Sequence, residues 1–255
     1  MLNVDFREKY RPKTLKEVIG NERPKRAIVN MIRKGELRRG IFFYGPQGTA
    51  KTTLARLLVK GLHCENFTDD VCGICDRCLS FEKNFPASNL YEYHDCSKMT
   101  ARELDEILKS LGFGPGILTF SASSTKMHVH VFDEFQRATI NLQDKFLIPL
   151  ETQSDILLIF CSIELKISDA FHRRVLSLKT KPPEISQLVP WLDAICKAEN
   201  IPIKDGNALR QVAETAHRLP GDCVRILEQF YLEEEPLSTS AVMEISQESK
   251  FTIVE

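Results

Sequence analysis

The stretch GIFFYGPQGTAKTTLARLLVKGL, residues 40–62, decides how the chain is read. Gly40 to Gly45 is a short apolar run ending in glycine, as suits a buried parallel strand, and Lys51 onward has helical periodicity. Between them lies Gly45-Pro46-Gln47-Gly48-Thr49-Ala50-Lys51-Thr52, a P-loop pattern in the strand-to-helix context it requires. Backbone N–H groups of such a loop, together with the helix N-terminus, cradle phosphates. In that arrangement Lys51 reaches the β and γ phosphates of ATP, and the Thr52 hydroxyl ligates Mg2+. Ala50 stands where the strict pattern has glycine, and its methyl group is expected to be tolerated only if the backbone there keeps a negative φ.

Outward from this unit the pattern keeps alternating. A helix is expected over Arg23–Lys34, a strand at LYEYHDC, and a helix over 101–111 with Thr100 as N-cap and Glu103 completing a capping box. VHVFDE then reads as a buried strand, Asn141 to Glu151 as a helix and ILLIFCS as a third core strand. Strands alternating with helices indicate an α/β fold with a parallel sheet covered on both faces. Pro182-Pro183 marks a boundary, beyond which three helices are expected, at about 184–199, 205–218 and 221–232. The expected division is a nucleotide-binding domain over 1–181, a small helical domain over 182–232, and an acidic tail over 233–255 without a helical stripe, mobile or docked on something.

A nucleotide site of this kind needs an acidic residue at the end of a neighbouring strand. HVHVFDE supplies Asp133, to hold the magnesium through water, and Glu134, to orient or deprotonate the attacking water. Acidic pairs at strand ends are common, but one that follows a P-loop by about 80 residues is a strong signal.

Cys64, Cys72, Cys75 and Cys78 sit in a loop-like insertion, 63–80, within an irregular stretch expected to run to about Asn89. Four thiolates at this spacing suit one tetrahedral Zn2+, and a complete sulfur shell leaves no open position, so the expected role is structural. His63 is an outside candidate, since the four cysteines already fill the shell. Cys96, Cys161, Cys196 and Cys223 lie among apolar neighbours and read as small core residues.

Composition sets the outer bounds. The 255 residues, 43% hydrophobic and 27% charged, are those of a globular chain, and the longest apolar run, Ile156 to Ile163, is far short of the ~20 residues a membrane span needs. The N-terminus lacks the apolar stretch of a signal peptide, so a cytoplasmic protein with no membrane partner is expected. The net charge of −1 hides a polarity, because residues 1–63 hold 15 Lys+Arg against 5 Asp+Glu and the rest hold 19 against 30. Such a basic end favours contact with phosphates of a nucleotide or nucleic acid.

YRPKTLKEVIGNE, GPQGTAKTT, the C-x7-C-x2-CDRC module, VFDE and FHRRVLSL occur in the order found in the AAA+ ATPase subunits of sliding-clamp loaders, and the chain resembles that family over roughly residues 6–232. The likeness is greatest to bacterial DNA polymerase III gamma/tau subunits, in which a cysteine-rich module is likewise inserted after the P-loop helix. The resemblance implies an AAA+ fold with a helical lid, and an ATPase that forms a homo- or hetero-oligomer on DNA and acts on a sliding clamp or other client. It places Tyr10, Arg11, Pro12, Val18 and Ile19 around the adenine and ribose, with the P-loop through Thr53 on the phosphates. Ser162 falls where the family has a polar sensor of the γ phosphate. Arg173 falls where it has an arginine finger acting on the next subunit's nucleotide, and residues near Ser97, Lys98 and Thr100 fall where it grips DNA phosphates.

Two features depart from the family. Its lid helix reads Gly-x-x-Arg, whereas Gly221 here is followed at that spacing by Val224, with Arg225 one position late and turned by about 100°. The family also continues into a helical collar that holds a pentamer together, where this chain has 233–255. A nucleotide-binding scaffold or regulator with weak turnover, of the kind phages and mobile elements use to form rings or filaments, is the alternative reading.

Overall fold

A computed structural model describes residues 5–84, 91–111, 117–119, 126–153 and 155–251. Among these the elements are α1 (Phe6–Lys9), α2 (Glu22–Lys34), β1 (Gly40–Tyr44), α3 (Lys51–His63), α4 (Asp76–Asn84), β2 (Glu92–Asp95), α5 (Ala101–Ser110), β3 (Ile117–Thr119), β4 (Lys126–Asp133), α6 (Ile140–Asp144), α7 (Leu147–Thr152), β5 (Ile156–Ser162), α8 (Asp169–His172), β6 (Val175–Lys179), α9 (Ile185–Glu199), α10 (Ala208–Thr215), α11 (Pro220–Glu233) and α12 (Thr239–Phe251).

The apolar runs read as buried strands form a five-stranded parallel sheet in the order β2-β4-β5-β1-β6, with β3 antiparallel at β4. Alternate residues of a strand face opposite sides. Ile41 and Phe43 of β1 therefore pack with Ile28, Leu54, Leu57 and Leu58 from α2 and α3, while Phe42 turns to Phe132, Phe135, Phe146, Phe160 and Phe171 on the other face. Every residue of β5 is buried, so this strand has no polar face to show. Burial of each such ring stabilises by about 1.5–3 kcal/mol. The P-loop leaves the carboxyl end of the interior strand β1, the place where open α/β sheets bind ligands.

A second core forms among α9, α10 and α11, around Leu188, Leu192, Val212, Leu227 and Phe230. Two differences from the sequence reading arise here. First, α1 packs on α11 and not on the sheet: Phe6 is buried in the helical core, its ring 5.1 Å from that of Tyr231 and its N–H donating to Glu228 Oε1 at 3.0 Å. The first helix thus belongs with the C-terminal helices, although the Pro182-Pro183 boundary pointed only to residues after 181.

Second, the stretch expected as an irregular acidic tail carries α12, packed against α10. Leu237 and Val242 are wholly buried, Leu237 exchanges backbone hydrogen bonds with Pro202 and Lys204, and Asp205 accepts from the Thr239 N–H and hydroxyl. The polar run hid the helix because its first anchor comes from tertiary contacts, not from a local apolar stripe.

The remaining differences are local. The cysteine-rich insertion, expected as a loop, contains α4. The expected helix 141–151 is split at Lys145–Phe146 into α6 and α7, with Pro149 in the first turn of α7, where its missing N–H costs nothing. The capping box of α5 forms as expected between Thr100 and Glu103. Among the described residues no helix is long and apolar enough to cross a membrane.

Candidate active site

The phosphate loop is built against the residue that follows β6. A Cβ on Gly45 would lie 2.3 Å from the Thr180 carbonyl oxygen, so only glycine permits this approach. Thr49 Oγ1 lies 2.7 Å from Thr180 Oγ1 and donates to the Pro46 carbonyl. Asn21 ties the arrangement to α2, its Nδ2 donating to the Thr49 carbonyl while its Oδ1 accepts from the Lys181 N–H. Neither Asn21 nor Thr180 stands out in the sequence, because both act through tertiary contacts.

Lys51, the first residue of α3, is 9% exposed, and its Nζ donates to the carbonyls of Gly45 and Pro46 at 2.9 and 2.8 Å. Burial lowers its pKa, against the opposing pull of Cys161, Asp133 and Glu134. Thr52 Oγ1 donates to Asp133 Oδ2 at 2.8 Å, and the Tyr93 hydroxyl donates to the same oxygen at 2.8 Å. Burial first, and then Asp133, raises the Tyr93 pKa, so that phenol stays a donor. Glu134 adopts a left-handed backbone (φ 53) one residue past β4, and its carboxylate is held by Gln136 Nε2, whose Oε1 accepts from the Ile163 N–H.

Ala50 corrects the sequence reading. Its φ is 69, in the left-handed region, although a negative φ was expected. The residue caps α3 at the point where the chain turns from loop to helix, in a left-handed conformation that glycine adopts without strain.

A cavity of about 460 Å3 opens beside the loop. Tyr10, Arg11, Pro12, Val18, Ile19 and residues 47–53 line it, as do Asp133 and Glu134. Arg7, Asn21, Tyr93, Pro183, Trp191 and Pro220 also contribute, and the sequence reading did not single them out. Tyr10 additionally joins α1 to α9 by a short hydrogen bond to Glu199, which Lys9 pairs with at 2.6 Å. Val224 lines the cavity, and Arg225 is exposed and outside the lining, as the one-residue offset implied. Arg7 lies beside Gly221 at the same wall.

Three other groups of candidate residues lie apart from this cavity. Ser162 is buried at the end of β5 beside Gly45, but its hydroxyl donates to the Glu164 carbonyl and does not line the cavity. Arg173 is exposed at the C-terminal end of α8. It precedes β6 at the end where Val175 pairs with Gly40, so the length of β1, roughly 13 Å at ~3.3 Å per residue, separates it from its own P-loop. Arg174 instead binds Glu151. Ser97 donates to Asp95, Lys98 pairs with Asp95 at 3.2 Å, and Thr100 caps α5.

The sulfur atoms of Cys64, Cys72, Cys75 and Cys78 lie within 4.8 Å of one another, with Cys72 and Cys78 at 4.0 Å. Backbone N–H groups of Cys72, Cys75 and Cys78 point at the sulfurs of Cys64, Cys72 and Cys75. Although burial acts to raise it, donation from Ile74 and Cys75 brings the Cys72 thiol down to about 6. The cluster adjoins the nucleotide wall through Asp70, which accepts from the N–H groups of Leu15 and Lys16 at 2.8 and 2.9 Å, just before Val18 and Ile19. Cys96, Cys161, Cys196 and Cys223 are buried apart from the cluster.

The chain is 29% identical to the DNA polymerase III subunit gamma/tau of Mycoplasma genitalium over 258 residues, covering 98% of this chain and 42% of that protein. It is 26% identical to the subunit tau of Escherichia coli, over 87% of this chain and 33% of that one. The chain thus spans about two-fifths or less of these relatives. In fold it is similar to the Thermotoga maritima RuvB Holliday junction branch migration motor, with a TM-score of 0.60 and 17% identity, over 94% of this chain and 72% of the other. Residues 20–151, more than half of the chain, match the family described as DNA polymerase III, delta subunit. The chain belongs to that family, within the clamp-loader class of AAA+ proteins.

Proposed function

We propose that the protein is a DNA-associated ATPase of clamp-loader type, which couples ATP binding and hydrolysis at subunit interfaces to assembly on DNA and to action on a sliding clamp or other client. One observation carries the ATPase reading: Thr52 and Asp133, 81 residues apart in the chain, meet at 2.8 Å beside Lys51 and Glu134. Lys51 would leave the loop carbonyls for the β and γ phosphate oxygens. Glu134 would take the proton of a water whose oxygen attacks the γ phosphorus, with ADP as leaving group. Mg2+, held by Thr52 and by Asp133 through water, would supply charge neutralisation on the phosphate oxygens. Tyr10, Arg11, Pro12, Val18 and Ile19 would receive the adenine and ribose.

Arg173 is too far from its own P-loop to serve it, which supports a role on the neighbouring subunit's nucleotide. Ser162 is a weaker candidate for a γ-phosphate sensor, because its hydroxyl is committed to Glu164. The four cysteines fit a structural Zn2+, whose tetrahedral shell at Zn–S of about 2.3 Å needs sulfurs this close. Lys98, exposed beside the Asp95 turn, remains the DNA-facing candidate, with non-sequence-specific contacts to phosphates.

Val224 favours a second reading, a scaffold that binds nucleotide but turns it over slowly, since an aliphatic side chain stands where the family has a cation. Steady-state ATPase assays with and without duplex DNA separate the two. Under the first reading the wild-type protein turns over ATP, Lys51→Ala loses binding, and Glu134→Gln retains binding while turnover falls by about 10²-fold or more. Intact ATP binding with negligible wild-type turnover would leave only the scaffold.

A further inference from the structure

Away from the nucleotide, Glu92, His94 and His130 bring three ligand atoms together on the sheet face that also carries Phe132. Glu92 and His130 are register partners on β2 and β4, and His94 lies two residues along β2, so all three project from the same side of a rigid parallel ladder. His94 Nε2 is 3.2 Å from His130 Nδ1, and Glu92 Oε2 is 3.8 and 3.6 Å from those same atoms. The point in their plane equidistant from the three atoms is about 2.1 Å from each, so an ion raised slightly out of that plane toward a fourth ligand would lie close to the ~2.0–2.2 Å zinc makes to imidazole nitrogen and carboxylate oxygen, replacing the His94–His130 hydrogen bond.

The rings are held in place as well. His94 stacks on Phe132 at 4.7 Å and on His130 at 5.5 Å, so the ladder and the packing fix the donor set before any ion arrives. The two imidazole side chains are 10% and 2% exposed, whereas that of Glu92 is 35% exposed and gives an ion a way in from solvent.

We propose that Glu92, His94 and His130 form a binding site for a divalent cation of the zinc class, separate from the four-cysteine cluster. Two imidazoles and one carboxylate leave a coordination position open to water, unlike the closed sulfur shell. The ion would clamp β2 to β4 three residues before Asp133, which lines the nucleotide cavity.

The test is a Co2+ titration of the 255-residue chain after metal removal, followed by visible absorption and by elemental analysis of gel-filtered protein. Wild type is expected to take up two ions per chain. One should carry thiolate-to-metal charge transfer and the other only weak visible bands without it. Glu92→Gln, on the exposed side, should leave the thiolate-bound ion untouched and weaken the second by more than about 10-fold, and His94→Ala should abolish the second. Cys78→Ser should remove the charge-transfer band and leave the second ion in place. The proposal is overturned if wild type takes up only ions that the cysteine substitution removes, or if Glu92→Gln and His94→Ala both bind Co2+ as wild type does. If His94→Ala does not fold, Glu92→Gln alone decides between these outcomes.

Discussion

Ala50 holds φ at 69, where an L side chain costs roughly 1–2 kcal/mol relative to the right-handed region. Replacement by glycine removes that strain and returns some of it as unfolded-state entropy, about 0.4–1 kcal/mol. Ala50→Gly is therefore expected to raise stability by up to about 1 kcal/mol in urea unfolding, and a lower midpoint would show that the methyl group is packed and needed. The P-loop pattern and the Asp133-Glu134 pair could be picked out as candidates because each is a contiguous run at the end of an apolar strand. Asn21, Thr180 and Tyr93, which hold those groups in place, could not, because each acts on a residue distant in sequence, and Gln136, only two residues from Glu134, is itself oriented by the distant Ile163 N–H. The conformation of Ala50 was misread for a related reason: the turn from loop into α3 dictates φ more strongly than the residue's own preference.

The insertion and α12 show how elements are tied to the site. Glu82 on α4 accepts from Arg56 and from Lys60 on α3, each at 2.8 Å, and the side chains of these two cations are only 8% and 2% exposed. Lys60 also donates to the Lys13 carbonyl, so one buried network joins the insertion, the P-loop helix and the segment before Val18. Removal of the shared carboxylate takes the one opposite charge these ion pairs share from two buried cations. Glu82→Ala should thus cost about 3 kcal/mol, measured by denaturant unfolding, and an effect below 1 kcal/mol would mean water reaches the pair. Leu237, wholly buried where the chain enters α12, should cost about 2–4 kcal/mol when changed to alanine. That loss would appear as a cooperative shift of the whole transition if α12 is integral to the helical core. The sheet and the helices α9, α10 and α11 could be read from periodicity and proline breaks, whereas α12 depends on Asp205 and Pro202, some 34 residues away.

At the scale of the whole molecule, the nucleotide cavity lies where the sheet, the entry segment and the helical core meet, with Val18, Thr52, Trp191 and Val224 among its walls. A ligand spanning these walls would hold the helical core against the sheet, and Mg-ATP should raise the thermal midpoint of wild type but not of Lys51→Ala. Arg173 is exposed at the other end of β1, and under the proposed function it would complete the site of a neighbouring copy or relative, not its own. The central claim is that hydrolysis is shared between subunits in this way. It is tested most directly by ATP turnover in a mixture of Glu134→Gln and Arg173→Ala proteins, with duplex DNA present. Each variant alone should be nearly inactive. In the mixture, interfaces that join an intact Glu134 to a neighbour's intact Arg173 should restore a substantial fraction of wild-type turnover. Activity in the mixture no higher than the mean of the two separate variants, while wild type is active, would contradict the account.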